Sequence, residues 1–147
     1  MPDPNLDPMP EAAERLVQEL GDSIGLQEHA RHFDAECFGN RVVHFTSESM
    51  DVRFIKARGI WEMEALPPGT TGDAGWLAVH TLRALHYGTM SEGRVGFEEL
   101  CLFVSEQHTW IAERLSLEQL RRTRDAIEEL YQPVREYWQG KRDEYPE

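Results

Sequence analysis

Cysteine is scarce in this chain: 147 residues hold two, Cys37 and Cys101, far apart and each set in an apolar stretch. That excludes a disulfide-stapled scaffold, and both thiols read as reduced core residues. Long apolar runs are missing too. None approaches the roughly 20 residues of a membrane-spanning helix, so no membrane role is expected. Basic charge is outnumbered, with 15 Lys and Arg against 27 Asp and Glu, a net charge of −12. Such a surface repels phosphate backbones, and direct nucleic-acid binding is not expected. Catalytic signatures are also lacking. The chain contains no GxSxG, SxxK, HExxH or CxxC, and Gly93-Arg94-Val95-Gly96 has neither the glycine pattern nor the lysine of a phosphate loop. No cofactor or metal is therefore expected. The opening Met1-Pro2-Asp3-Pro4 has no basic stretch followed by an apolar one, so a secretory signal is not expected and the cytoplasm is the expected compartment.

What is present is enough apolar material for a core: 40% of the residues are hydrophobic, four of them Trp. A chain of this size buries about two-thirds of its unfolded surface. The acid is unevenly placed. Residues 1–40 carry nine acids against two bases, whereas residues 41–66 carry four of each. The balanced stretch contains the hairpin Asp51-Val52-Arg53-Phe54-Ile55-Lys56-Ala57-Arg58-Gly59-Ile60-Trp61-Glu62-Met63-Glu64.

Periodicity divides the chain. Residues 1–9, proline-rich, read as a flexible tail. A helix starts near Pro10, with Ala13, Leu16, Val17, Leu20 and Ile24 on one stripe and Gly21 and Gly25 marking its end. From about Glu28 the period changes to two. Four short strands follow, separated by Phe38-Gly39-Asn40, Thr46-Ser47-Glu48-Ser49 and Arg58-Gly59, with Trp61 and Met63 on one face and Glu62 and Glu64 on the other. After the loop at Pro67-Pro68-Gly69 the pattern is helical. Asp73 is placed to cap a helix carrying Trp76, Leu77, Val79, Leu82 and Leu85. Phe97, Leu100, Val104, Ile111 and Leu115 mark the next helix. The last opens at a Ser116–Gln119 capping box, meets Pro133 as a kink or break, and ends near Gly140. The expected fold is α+β: an antiparallel meander of about four strands flanked by an N-terminal helix and a helical C-terminal half. One domain spans residues 10–140, and 141–147 form a frayed tail. Phe33, Phe45, Phe54, Trp61, Leu100, Val104, Ile111, Ile127 and Leu130 are the expected core.

His29 and His32, beside Glu28, supply two ligands where structural zinc needs four. His108 lies seven residues from Cys101 on an apolar stripe, which suits packing better than a reactive thiol. Glu62 and Glu64 stand roughly 7 Å apart on one strand face, a spacing that general acid–base pairs also use. Arg53, Lys56 and Arg58 are matched by these same glutamates as cross-strand pairs.

The stretch Phe38-Gly39-Asn40-Arg41-Val42-Val43-His44-Phe45, with Val52 to Met63 after it, resembles a class of small bacterial cytoplasmic proteins, many similar to immunity proteins of polymorphic toxin systems. Their layout is a helix, a meander whose third turn carries Arg-Gly, and a helical ending that Phe97–Leu130 matches, including the Arg121-Arg122 pair. This chain has Ala57 where the class often has Asp, which removes a turn-capping carboxylate. The class brings no catalytic residues to carry over.

Composition and resemblance together imply an acidic protein-binding module, an immunity-like inhibitor that occludes a basic protein partner. The partner-binding candidates are Glu99, Glu106 and Glu113, seven residues apart on one helix, and the hairpin residues Arg53, Arg58 and Trp61. Two alternatives stand beside it. One is a small enzyme or ligand-binding domain with a pocket built from His29, His32 or His44 and Glu62. The other is a homodimer formed through Tyr131, Tyr137 and Trp138.

Overall fold

The computed structural model describes residues 9–34, 40–68, 75–89 and 95–144. Cys37, Asp73 and the tails at 1–8 and 145–147 lie outside them, as does the side chain of Phe33. The expected α+β layout is what forms: an N-terminal helix, a five-strand antiparallel meander and three further helices.

Helix α1 (Glu11–Ile24) begins after Pro10 and buries Ala13, Leu16 and Leu20. Its first-turn Glu14 accepts a hydrogen bond from the Met9 amide at 3.2 Å, and Met9 itself is buried. Gly25, at φ +72°, ends the helix in the left-handed region open to glycine. Strands β1 (Gln27–Asp34), β2 (Asn40–Thr46), β3 (Asp51–Ala57) and β4 (Ile60–Leu66) follow in order, each antiparallel to the one before. Their inward positions, Val43, Phe45, Val52, Phe54, Met63 and Ala65, are all buried. The positions between them are only partly covered. The helices therefore close one face of the sheet, and the more open face is covered only in part, by Trp76 against His44 and Arg53.

The β3–β4 connection is the two-residue turn Arg58-Gly59, at φ +53° and +79°. Both residues being left-handed matches the turn to the twist of the strands it joins. The turn before β3 is held by Ser47, whose hydroxyl donates to the Met50 carbonyl at 2.6 Å and accepts the Met50 amide at 3.0 Å.

The structure corrects the sequence reading in the second half. Trp76 and Leu77 are not helical; Leu77–Ala78 is a fifth strand, β5, paired with Ala65 and Glu64 of β4. Leu77 thereby joins the inward face of the sheet, and the ladder outcompetes a helical start there. Helix α2 (Val79–Tyr87) begins one residue later. Helix α3 (Phe97–Leu115) buries Leu100, Cys101, Phe103, Val104, Ile111 and Leu115 across a kink at Gln107. No capping box forms at its end. The Ser116 hydroxyl donates to the Glu113 carbonyl at 2.8 Å, while the amides of Gln119 and Leu120 reach the Ser116 carbonyl. Helix α4 (Leu120–Glu144) contains Pro133 without dividing there and continues past Gly140. Of the expected core, Phe45, Phe54, Leu100, Val104, Ile111 and Ile127 are buried, whereas Trp61 and Leu130 are half-buried.

Candidate functional site

Strand β5 is only two residues long, and its shortness shapes the site. It pairs with β4 at Glu64 and Ala65, then the chain turns into α2. Among the described residues, no strand lies beside Ile60–Met63 on that side of β4. A cleft of about 690 Å³ opens there, bounded by β4, α2, the start of α3 and Tyr131 of α4. Trp61, Met63, Phe97, Leu100 and Tyr131 make its apolar wall. Among the described residues, Glu62, Glu64 and Glu98 supply carboxylates, Arg83 a guanidinium and His80 an imidazole.

Local structure fixes these groups. Alternation along β4 sends Trp61 and Met63 toward the helices and Glu62 and Glu64 to the open face, so the cleft takes in both sides of the strand edge. The Trp61 ring lies 6.5 Å from that of Phe97, with the Arg41 guanidinium at 5.6 Å and the Lys56 ammonium at 6.0 Å from its centroid. Glu98 and Glu99 occupy the first turn of α3, where the helix dipole favours negative charge. Arg83 stacks on Tyr87 at 5.2 Å and reaches to 3.8 Å from Glu99. Burial raises the Tyr131 hydroxyl above its ordinary pKa.

A second polar group lies on the open face of the sheet. His44 is opposite Arg53 on the neighbouring strand, and its Nε2 is 3.0 Å from the buried Asp51 carboxylate. The rings of His29 and Trp76 meet His44 edge-on at 5.1 and 5.0 Å. His29 reaches it because β1 bulges between Glu28 and Ala30. Arg53 stacks on Trp76 at 4.5 Å and donates from Nε to Glu64 at 2.9 Å, which is the cross-strand pair expected from the sequence.

The sequence-derived candidates are thus dispersed. Arg53 lies on the open face, Trp61 lies on the helix-covered face, and Arg58 sits in the turn, its amide donating to Asn40 at 3.3 Å. They make no common surface. Glu99, Glu106 and Glu113 are all exposed along α3, and Glu99 is the one drawn toward the cleft through Arg83. His29 and His44 come together, but Glu62 belongs to the cleft, where the histidine is His80. Tyr131 faces the cleft and does not join Tyr137 and Trp138, each 59% exposed farther along α4. Sequence reasoning missed His80, Arg83 and Phe97, because the cleft is assembled from four separate elements and no spacing announces it.

Chemically, the cleft offers an apolar wall rimmed by carboxylates. The Cys101 thiol is no nucleophile: burial pushes its pKa up to about 12. Among the described residues no three His, Cys, Asp or Glu side chains gather to hold a metal ion, and no helix is long and apolar enough to cross a membrane. No family model, curated protein or solved structure matches the chain.

Proposed function

We propose that this chain is an acidic protein-binding module that captures and occludes a basic partner, with the cleft beside β4 as its principal contact. The observation that carries this reading is the cleft itself: an apolar wall edged by Glu62, Glu64 and Glu98 in a protein of net charge −12. Apolar anchors inside a charged rim are how interfaces divide affinity from steering. The exposed glutamates of α3 extend the acidic surface away from the cleft and speed the encounter with a positive partner. The resemblance to immunity proteins gives the capture a purpose, inhibition of a toxin-like domain inside the cytoplasm of the producing cell.

Co-purification with the products of neighbouring genes, followed by a salt titration, tests the reading. A basic partner should be retained at low salt and released as ionic strength rises, and Glu62→Lys with Glu98→Lys should weaken retention. A complex indifferent to both salt and these reversals would refute the electrostatic mechanism; no partner at all would refute the class.

A second reading uses the same cleft for a small ligand. His80 together with the three carboxylates favours an organic cation. Thermal shifts with small amines, absent with carboxylic acids, would support it over protein capture.

A further inference from the structure

We infer that the distal half of α4 pairs with a second copy of this chain, the Tyr137 and Trp138 rings of both copies packing together across an antiparallel helix crossing. The inference is independent of the basic-partner reading and uses a surface outside the cleft. Ile127, Tyr131, Val134 and Trp138 recur at spacings of four, three and four, which lines them along one face of the helix. The domain covers the beginning of that face and not its end. Ile127 is buried, Tyr131 and Val134 are half-buried, and Trp138 is 59% exposed, as is its neighbour Tyr137. Apart from Val134, every residue from Gln132 to Gly140 is exposed. Among the described residues these two rings are the most exposed aromatic side chains. They meet each other edge-on at 5.4 Å, with the Lys141 ammonium 5.7 Å from the Tyr137 ring, and more than half of each is still left to solvent.

Charge selects the occupant. Residues 132–144 hold three bases, Arg135, Lys141 and Arg142, and three acids, Glu136, Asp143 and Glu144. The segment is therefore neutral, while the chain as a whole carries −12. A basic partner finds no excess of acid there, whereas a second copy finds a surface that does not repel it. A two-fold pairing presents the same patch from both copies. Crossing antiparallel sets Val134 of one copy against Trp138 of the other and opposes the two helix dipoles. It also carries the two acidic bodies to opposite ends of the pair, where a parallel crossing would hold them side by side. The four rings offer roughly 500 Å² of accessible surface. With Val134 and the stems of Arg135 and Arg142, the contact reaches about the 1,000 Å² at which specific interfaces begin. Such an area gives a weak dimer, half formed at roughly 10–100 μM.

Sedimentation equilibrium of the full chain in a dilution series tests the pairing. The mass should rise from that of one chain toward that of two between about 1 and about 500 μM. Trp138→Glu should raise the midpoint concentration about ten-fold or more, with circular dichroism unchanged. Trp138→Phe keeps a ring and should stay within about three-fold of the original midpoint. Salt separates this contact from partner capture. Screening the two acidic bodies should strengthen self-association between about 50 mM and about 0.5 M, the opposite of the release expected of a basic partner. Paired nitroxides give the orientation, placed by Glu129→Cys in a Cys37→Ser background. Residue 129 lies seven residues before the midpoint of Val134–Trp138, so the two labels are offset by about 21 Å along the axes when antiparallel and level when parallel. A chain that stays monomeric at about 500 μM, or a dimer unchanged by Trp138→Glu, overturns the proposal. Self-association that weakens with salt, or labels that lie level, overturns it as well. None of these outcomes bears on the cleft, and co-purification judges that reading separately.

Discussion

The His44 imidazole sits 3.0 Å, through Nε2, from a carboxylate oxygen of Asp51 whose side chain is only 2% exposed. The other Asp51 oxygen accepts the Thr46 hydroxyl at 2.8 Å, so a buried acid is matched on both sides by its neighbours on β2. Replacing Asp51 by Ala removes the acceptor and strands two polar groups, at a cost on the order of 1–3 kcal/mol. Asp51→Asn keeps an acceptor for Thr46 and should lose less. Urea unfolding of the two variants checks the ordering.

The Arg58-Gly59 turn asks an arginine to adopt φ +53°, a conformation in which most side chains crowd the backbone. Asn accepts it more readily and is the preferred first residue of this turn. Arg58→Asn should therefore raise stability by up to about 1 kcal/mol, seen as a higher denaturation midpoint with unchanged slope. The Asn40 bond to the residue-58 amide survives, since it uses backbone.

The meander was legible because its cues are local. Alternation in Val43–Phe45 and Trp61–Glu64, with Arg-Gly between β3 and β4, sets strands and register without reference to anything distant. Trp76 and Leu77 misled because their spacing to Val79 and Leu82 suits a helix. What holds them instead is tertiary: Arg53 beneath the indole, and Ala65 across the ladder from Leu77. The same limit applies to the cleft. Trp61 and Glu62 were visible as strand residues, yet their meeting with His80, Phe97 and Tyr131 depends on how three helices are laid over the sheet. The pairing of His29 with His44 likewise needs a bulge in β1 that no residue in the sequence announces.

Cys101 gives a prediction with a defined pH window. Burial raises its pKa from 9.0 to about 12, with Glu98 adding to the rise. In a Cys37→Ser background, folded protein at neutral pH should resist thiol reagents, and protein unfolded in urea should react fully. The sign of the linkage follows. Between pH 9 and about 12 the unfolded chain loses the thiol proton and the folded one keeps it, so stability falls as pH rises through that range. Cys101→Ala should flatten that part of the stability–pH curve.

The two acidic surfaces should separate kinetically. Glu99, Glu106 and Glu113 are exposed on α3, and the 3.8 Å approach of Glu99 to Arg83 is a solvent-facing pair of small value. Reversing all three to Lys should leave each site within about 0.5 kcal/mol of its original stability, with no change in circular dichroism. These glutamates do not line the cleft, so their charge acts at a distance, on the approach of a positive partner. Association with an immobilised basic partner should slow about ten-fold at low salt and recover toward the unmodified rate near 0.5 M, where screening reaches only a few ångströms. Glu62 and Glu98 line the cleft, in direct reach of a bound segment. Reversing those two should instead speed dissociation, with a smaller change in the on-rate. Equal effects of the two variants on both rates would mean that net charge alone governs binding and that the cleft has no privileged role.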